Sequence, residues 1–305
     1  GEAAAVAVEE GDAARAAAWY ERVLAVEPQQ PIAQAYLEST WRERGEWRAL
    51  VALLGGRAAR LPAAERGEVW AEVAAIEERE LGNRGAAFSA LLDAFASDGR
   101  WEAWGDDLKR LAAALDGWPL LSATLQRRAA AGNPAERREL YLELGGVLEA
   151  ARKLPQALEA YRALLAIDPA CVPALERLER LYRDGGQPAL LEVLERRAEL
   201  APDRDEKVRL YRALAGEAAR LERWARAVDA HRRAAELESH AEARGQELFR
   251  AGVICRDQLA AFDEALDCFQ AAADCYAADG SVPPAALAEA LERMRRLGTH
   301  AQGRT

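Results

Sequence analysis

Cysteine and histidine side chains near the end of the chain are the residues whose types could support metal or redox chemistry. Cys255, Cys268 and Cys275 fall in one predicted hairpin and His240 precedes them, whereas Cys171 lies well apart. Structural zinc sites usually contain cysteine pairs about two to four residues apart, and the sequence has no such pair. We therefore expect no metal ion, no cofactor, and small, buried, reduced thiols. If the protein is exported, a disulfide between Cys255 and one partner is an alternative.

The remaining catalytic residue types form no recognisable constellation. Of the three histidines, His231 falls where other segments of the same pattern carry an aromatic residue, and His300 lies in a polar tail. No nucleophile stands beside a paired base, and no Gly-rich phosphate loop follows a strand. Acidic residues are many but dispersed. The sequence therefore predicts a protein that is not an enzyme.

Arginines form the most suggestive charged pattern. Five of them share the spacing of a helical face: Arg177, Arg180, Arg183, Arg209 and Arg212. A guanidinium group binds a carboxylate through a planar two-pronged contact, so this stripe predicts binding of an acidic peptide or an acidic C-terminus. The alternative is that these arginines pair with Glu176, Glu179 or Glu206 and bind no partner, since exposed ion pairs are common and contribute little.

The elements that position these residues are predicted to be helices throughout. Half of the chain is apolar, with more Ala and Leu than Val, Ile or Phe, which favours helix over strand. Nearly all of the 12 prolines and 22 glycines lie between periodic segments. No convincing strand-type alternation is visible, so we expect an all-α fold.

The clearest segment runs from Arg138 to Pro169. Its apolar residues recur every three or four positions, which is the spacing of one helical face. A break at Ala151–Leu154 divides it into two helices, and Asp168-Pro169 ends the second because proline cannot continue a helix. The positions that define the pattern are Tyr141, Leu144, Gly145, Leu148, Ala157, Tyr161 and Pro169.

This pattern resembles the tetratricopeptide repeat (TPR), a helix-turn-helix unit of about 34 residues. Tyr141 takes the tryptophan position of that motif, Leu148 the first tyrosine position and Tyr161 the phenylalanine position. Gly145 and Ala157 are small where a larger side chain would push the two helices apart. The resemblance implies a right-handed α-solenoid of stacked hairpins, with the first helix of each hairpin lining the concave side.

The chain repeats itself at a second, longer step of about 70 residues, or two hairpins. Trp70, Tyr141 and Tyr211 align, for example, as do Trp47 and Trp118. This two-hairpin unit resembles the long repeat arrays of large proteins from high-GC bacteria. The expected organisation is a single TPR-like solenoid over 1–305. It comprises a partial repeat (1–30), seven hairpins (31–62, 63–99, 100–134, 135–169, 170–203, 204–240 and 241–279), a break at Asp279-Gly280-Ser281 and a C-terminal capping helix (283–298).

The motif is weakest between Trp101 and Ala131. This segment carries Trp101, Trp104 and Trp118 but has no Gly or Ala at the predicted close-packing position. We expect the tryptophans to fill an irregularly packed interface, because buried aromatic residues usually belong to the core. The alternative is an aromatic pocket for a peptide.

A groove built from repeated rigid units can bind an extended or helical segment of another protein. The sequence therefore predicts a non-catalytic protein-interaction scaffold with a protein or peptide partner in its concave groove. The alternative is a regulatory repeat region of a larger enzyme or signalling protein whose catalytic domain lies outside this chain. A chaperone-docking module is disfavoured. In TPR modules of that type, Asn and Lys or Arg side chains line the groove and hold a C-terminal carboxylate. The only asparagines of this chain, Asn83 and Asn133, fall in predicted turns.

The net charge of −10 disfavours binding to nucleic acid and to anionic lipid. No apolar run approaches the roughly 20 residues of a membrane span, and no signal peptide is visible. We therefore expect a cytoplasmic protein. Because the chain starts with Gly rather than Met, an incomplete N-terminus and a periplasmic or exported protein are alternatives.

Overall fold

Helices account for all regular structure in the described part of the chain. The computed structural model describes residue 3, residues 12–280 and residues 282–302, with residues 279 and 294–302 described by their backbone alone. Its helices are α1 Ala13–Val26, α2 Pro31–Arg44, α3 Trp47–Ala58, α4 Ala63–Arg79, α5 Arg84–Asp98, α6 Trp101–Leu115, α7 Trp118–Ala131, α8 Pro134–Ala150, α9 Leu154–Ile167, α10 Val172–Asp184, α11 Leu190–Leu200, α12 Arg204–Arg220, α13 Trp224–Leu237, α14 Ala241–Asp257, α15 Phe262–Asp279 and α16 Ala285–Gln302. The predicted all-α class is confirmed.

Consecutive helices pack against each other in series within two units, Gly1–Ala160 and Tyr161–Thr305. In the first unit α4 packs along α5 and α7 along α8, and in the second α12 packs along α13 and α14 along α15. Contacts between neighbours in chain order are the mark of a repeat solenoid. The predicted α-solenoid is therefore confirmed, whereas a single domain over 1–305 stays a prediction.

The ends of the predicted array are described in part. Within the partial repeat at 1–30, residues 1, 2 and 4–11 lie outside the described residues, and the second helix is α1. The break after α15 is seen at Gly280, which ends the helix in a left-handed conformation with φ of 69°, while Ser281 lies outside the described residues. The predicted capping helix corresponds to α16. It does not end at Gly298 as predicted but continues to Gln302, because Gly298 keeps a helical backbone.

Capping side chains explain where several helices begin. The Oδ1 atom of Asn83 accepts a hydrogen bond from the backbone N–H of Ala86 at 3.2 Å. Asn133 forms a reciprocal capping box with Glu136. Such caps satisfy backbone donors that the first turn of a helix leaves unpaired. Both asparagines thus serve their own helices, in the turns where they were predicted.

A left-handed residue occurs in the turn inside each of the seven hairpins. Three of these residues are glycines and four are not, the set being Gly45, Gly82, Asp116, Arg152, Gly186, Glu222 and Ala260. Glycine adopts positive φ without a steric cost, whereas a Cβ atom is disfavoured there. The backbone of the turn is therefore conserved between hairpins more strictly than its sequence.

Replacing Ala260 by glycine should raise the free energy of unfolding by about 0.5–1 kcal/mol. Ala260 has φ of 52°, and left-handed backbone costs an L-residue roughly 1–2 kcal/mol, part of which the larger unfolded-state entropy of glycine offsets. Gly186→Ala is the control of opposite sign, because nothing lies within 4 Å of an added Cβ atom and only the backbone cost remains. Urea unfolding measures the stability of both variants. Destabilisation by Ala260→Gly would contradict the predicted cost of the left-handed backbone at Ala260.

Small residues permit the closest helix contacts, as the motif predicts. A Cβ atom on Gly252, which occupies the same motif position as Gly145, would lie 2.6 Å from the ring of Phe269.

In the region predicted to be irregular, α6 and α7 are regular helices. Trp101 is buried there, its ring centroid lies 5.3 Å from that of Phe95, and Gly105 leaves room for the Trp101 ring. This tryptophan belongs to the core.

Candidate functional site

The five predicted arginines lie on two first helices of successive hairpins, Arg177, Arg180 and Arg183 on α10, and Arg209 and Arg212 on α12. Arg183 donates a hydrogen bond to Glu179 at 2.7 Å. Arg177 and Arg180 each have an interaction partner within the protein. Arg209 is exposed, and no carboxylate in the described part of the chain pairs with it. The stripe therefore carries less free positive charge than its sequence indicates.

Arg197 of α11 pairs with the three carboxylates that were the alternative partners of the five arginines. No sequence feature indicated this role. Its guanidinium group contacts the nearly buried Glu179, lies 3.0 Å from Glu176 and lies 3.8 Å from Glu206. Only 15% of the Arg197 side chain is exposed. Arg183 of the stripe shares Glu179 with Arg197.

Arg212 belongs to a buried polar cluster rather than to an open surface. Its Nε atom donates to Glu247 at 2.9 Å, and its Nη2 atom donates to Glu238 at 2.8 Å. Glu247 is only 1% exposed and also accepts from Nδ1 of His231 at 2.7 Å and from Arg250 at 2.9 Å. His231 is buried at its predicted packing position, but it acts there as a hydrogen-bonding group.

Two opposing effects set the pKa of Glu247. Burial acts to raise it, whereas the hydrogen bond and charge of His231 and the charges of Arg250 and Arg212 lower it. The lowering effects win, so the pKa of Glu247 lies below its ordinary value of 4.5. The carboxylate is therefore ionised at neutral pH and holds three cationic or donor groups together.

Ion pairs between first helices are a second feature that the sequence analysis missed. Some charges pair along one helix, such as Arg42 with Glu38. Others join successive first helices: Arg42 of α2 pairs with Glu72 of α4, Arg110 of α6 with Glu78 of α4, and Lys109 of α6 with Glu143 of α8. Opposite charges about one hairpin apart in the sequence were the available signal.

An open cavity of about 480 Å³ lies between α9 and α11, the second helices of two successive hairpins. Its floor is the buried apolar side of α10, with Leu175, Leu178 and Tyr182. Its walls carry two guanidinium groups, Arg162 and Arg196. The cavity combines an apolar base with positive charge, which suits an apolar side chain beside a carboxylate.

The two wall arginines have no carboxylate partner among the described residues. Arg162 donates from Nε to the hydroxyl oxygen of Tyr182 at 2.8 Å and lies over the Tyr182 ring. Arg196 is half-buried, and no hydrogen bond or ion pair with a described residue engages its side chain. Glu192 also lines the cavity, so its lining carries a formal charge of +1 from two arginines and one glutamate.

A related cavity of about 460 Å³ occurs two hairpins later, between α13 and α15. Arg232 and Leu248 line it 70 residues after Arg162 and Leu178, which line the first cavity. Arg244 also faces this second cavity, and its buried Nε atom has no hydrogen-bond partner. The longer sequence period thus repeats a cavity on the second-helix side, a surface that the sequence analysis did not consider.

The cysteines and histidines form no metal site in the described part of the chain, where no cluster of three or more His, Cys, Asp or Glu side chains could hold an ion. All four cysteines are free thiols. Cys255 and Cys268 are buried, whereas Cys171 and Cys275 are half-buried, so the prediction of buried thiols is wrong for the latter two. None of the described helices is long and apolar enough to cross a bilayer.

Comparison with known proteins gives remote structural similarity only. No protein-family model and no curated protein matches the chain. The C-terminal part of a TPR repeat-containing protein from Cytophaga hutchinsonii has a TM-score of 0.37 and 13% identity, covering 80% of this chain and 98% of its own. A tetratricopeptide repeat protein from Parabacteroides merdae has a TM-score of 0.26 and 15% identity, with 96% of both chains covered.

A structure of Naa15/Naa10 bound to HypK-THB is also similar, with a TM-score of 0.42, 17% identity and coverage of 90% of this chain. This chain spans 41% of the length of that protein. All of these TM-scores are below 0.5, so the assignment depends on the chain's own motif positions and serial helix packing. On those grounds the chain is an all-α solenoid built from helical hairpins, and its motif positions resemble those of the TPR.

Proposed function

We propose that this protein is a non-catalytic protein-interaction scaffold that binds an acidic, partly apolar segment of another protein. The observation that carries the proposal is the cavity between α9 and α11, where Arg162 and Arg196 stand without carboxylate partners above an apolar floor. Its volume of about 480 Å³ suits one or two side chains rather than a whole helix.

The repetition of this cavity favours a protein segment over a small molecule. Arg232 and Leu248 recur 70 residues after Arg162 and Leu178, so a long ligand could contact equivalent places on more than one hairpin pair. Repeat proteins offer extended surfaces of this kind because each unit presents the same positions again. A partner with regularly placed acidic and apolar residues would match this spacing.

The first-helix arginines are the other proposed contact surface, as the resemblance implies. Arg209 is its most available member, because Arg183 is paired with Glu179 and Arg212 is engaged by Glu238 and Glu247. The two surfaces lie on different helices, so substitutions can separate them. We propose the second-helix cavity as the principal site, because its guanidinium groups have fewer internal partners.

The double substitution Arg162→Glu with Arg196→Glu should weaken binding of an acidic partner at least about tenfold, which corresponds to 1.4 kcal/mol. The probe is a fluorescein-labelled helical peptide with Glu on one face and Leu on the other, measured by fluorescence anisotropy. Binding to the unsubstituted protein should weaken as salt increases, because the contacts are ionic. The same peptide with Lys in place of Glu should not bind.

Two further double variants identify the surface. Arg220→Glu with Arg293→Glu makes the same change in net charge at exposed ion pairs and should leave the affinity unchanged. Arg180→Glu with Arg209→Glu tests the first helices. Equal losses in all three variants would mean that only net charge matters, and a loss confined to the last variant would place the site on the first helices.

A further inference from the structure

Cys255 of α14 and Cys268 of α15 form a buried pair of thiols across the last complete hairpin. Cys255 is fully buried and Cys268 is 4% exposed. Both thiols belong to the same buried core cluster. Gly252 allows this close approach, since a Cβ atom added to it would lie only 3.2 Å from the Cβ atom of Cys268. The sequence analysis left the partner of Cys255 open, and the structure places Cys268 beside it.

The surroundings make the two thiols chemically unequal. The Nη2 atom of Arg232 lies 3.4 Å from the Sγ atom of Cys268, and a guanidinium group at that place stabilises a thiolate. Burial, together with the neighbouring Cys268, raises the pKa of the Cys255 thiol to about 11. Cys255 therefore stays protonated at neutral pH, whereas Cys268 has the guanidinium group of Arg232 beside it.

Access is unequal as well. Cys268 lines the open cavity of about 460 Å³ between α13 and α15, together with Arg232, Arg244 and Asp267. Cys255 does not line it. A small polar oxidant that enters this cavity therefore contacts Cys268 before Cys255. A thiol that lines an open cavity and has a second thiol beside it can be oxidised to a disulfide.

We propose that Cys268 is a site of oxidation by hydroperoxides and that Cys255 resolves the product into a Cys255–Cys268 disulfide. The Cys268 thiolate attacks the terminal peroxide oxygen, an S–O bond forms and the O–O bond breaks. Hydroxide leaves from hydrogen peroxide, and an alkoxide leaves from an organic hydroperoxide. Sulfur is oxidised by two electrons and the peroxide is reduced. The Cys255 sulfur then attacks the sulfenic acid, an S–S bond forms, and the proton of Cys255 leaves with the hydroxyl group as water.

Geometry excludes the nearest competing pair. Cys275 follows Cys268 by seven residues on α15, which separates their Cα atoms by roughly 10 Å along the helix axis. A disulfide requires a Cα separation of about 4.4–6.8 Å. Cys171 lies in the connection between α9 and α10 and lines neither cavity described above. Cys275 and Cys171 therefore serve as internal controls.

The test treats the full chain with hydrogen peroxide and maps its cysteines by mass spectrometry after digestion without reduction. We expect a peptide pair joined through Cys255 and Cys268, reversed by dithiothreitol, while Cys171 and Cys275 form no disulfide within the chain. Persistence of reduced Cys255 and Cys268 under conditions that oxidise Cys171 or Cys275 would overturn the proposal. So would oxidation of Cys268 to sulfinic acid with Cys255 left free.

Substitutions assign the two roles. In Cys255→Ala, Cys268 should stop at the sulfenic acid and be trapped by dimedone, whereas in Cys268→Ala, Cys255 should stay reduced. Arg232→Gln should slow disulfide formation several-fold, and the rate should be compared with Arg256→Gln, which alters an arginine outside the cavity. Circular dichroism verifies that each variant is folded. An unchanged rate of disulfide formation in Arg232→Gln would show that Arg232 does not assist the oxidation of Cys268.

Discussion

Replacing Glu247 by alanine should lower the free energy of unfolding by about 1–3 kcal/mol. Glu247 is 1% exposed and holds Arg212, Arg250 and His231 through contacts of 2.7–2.9 Å. Its loss would leave the buried His231 ring without its acceptor, and a buried polar group without a partner is costly. Arg212 keeps Glu238, and the Arg250 side chain is 55% exposed, so these two arginines lose less. Urea unfolding followed by circular dichroism measures the change.

The matched control is Glu217→Ala, which removes an exposed ion pair with Arg220 and should cost less than about 1 kcal/mol. The lowered pKa of Glu247 also gives a pH dependence with a definite sign. A carboxylate of this kind stabilises the fold above its unfolded pKa, near 4.5, and that stability is lost as pH falls through the lower folded pKa. Equal costs for the two alanine variants would contradict a structural role for the cluster.

Replacing Phe269 by alanine should also cost about 3–5 kcal/mol, because it empties a closed part of the core. The Phe269 ring is fully buried, its centroid lies 5.7 Å from that of Phe249, and it fills the space that Gly252 leaves between α14 and α15. The cost should appear in urea unfolding as a lower midpoint. Loss of packing there also removes contacts under α16, whose Leu287 joins the same cluster.

Phe262→Ala is the control within the same helix, since that side chain is 50% exposed and should contribute less than about 1 kcal/mol. A double-mutant cycle tests the contact with Gly252. Gly252→Ala alone should be destabilising, because the added Cβ atom would lie 2.6 Å from the Phe269 ring. In a Phe269→Leu background the same change should cost less, and strict additivity would contradict the predicted contact.

The fold was predictable because its signals are local and repeated. Most hairpins combine helix-forming residues, a break and small residues at the helix contact, and these recur at a fixed step. The left-handed turn residue is harder to predict from the sequence. Positive φ is expected at glycine, but Arg152, Glu222 and Ala260 also adopt it. Gly105 was also missed, because it accommodates Trp101 within its own helix.

The polar sites were less predictable because they depend on contacts between helices. His231 looked like a packing residue, and nothing near it in the sequence indicates that Glu247, in the next helix, pairs with it. The arginine stripe was predicted from helical spacing alone. Spacing cannot show that Arg212 pairs with Glu238 and Glu247, which lie on later elements. Arg162 and Arg196 belong to different hairpins, so only the packed helices bring them to one cavity.

The central claim is that a partner binds in the cavity on the second-helix side of the second unit. Hydrogen exchange, measured by mass spectrometry with and without the acidic Glu/Leu peptide, tests it most directly. We expect slower exchange in residues 161–167 of α9 and 190–197 of α11, lost in the Arg162→Glu, Arg196→Glu variant. Slower exchange confined to α10 and α12, or none while the peptide is bound, would contradict the claim.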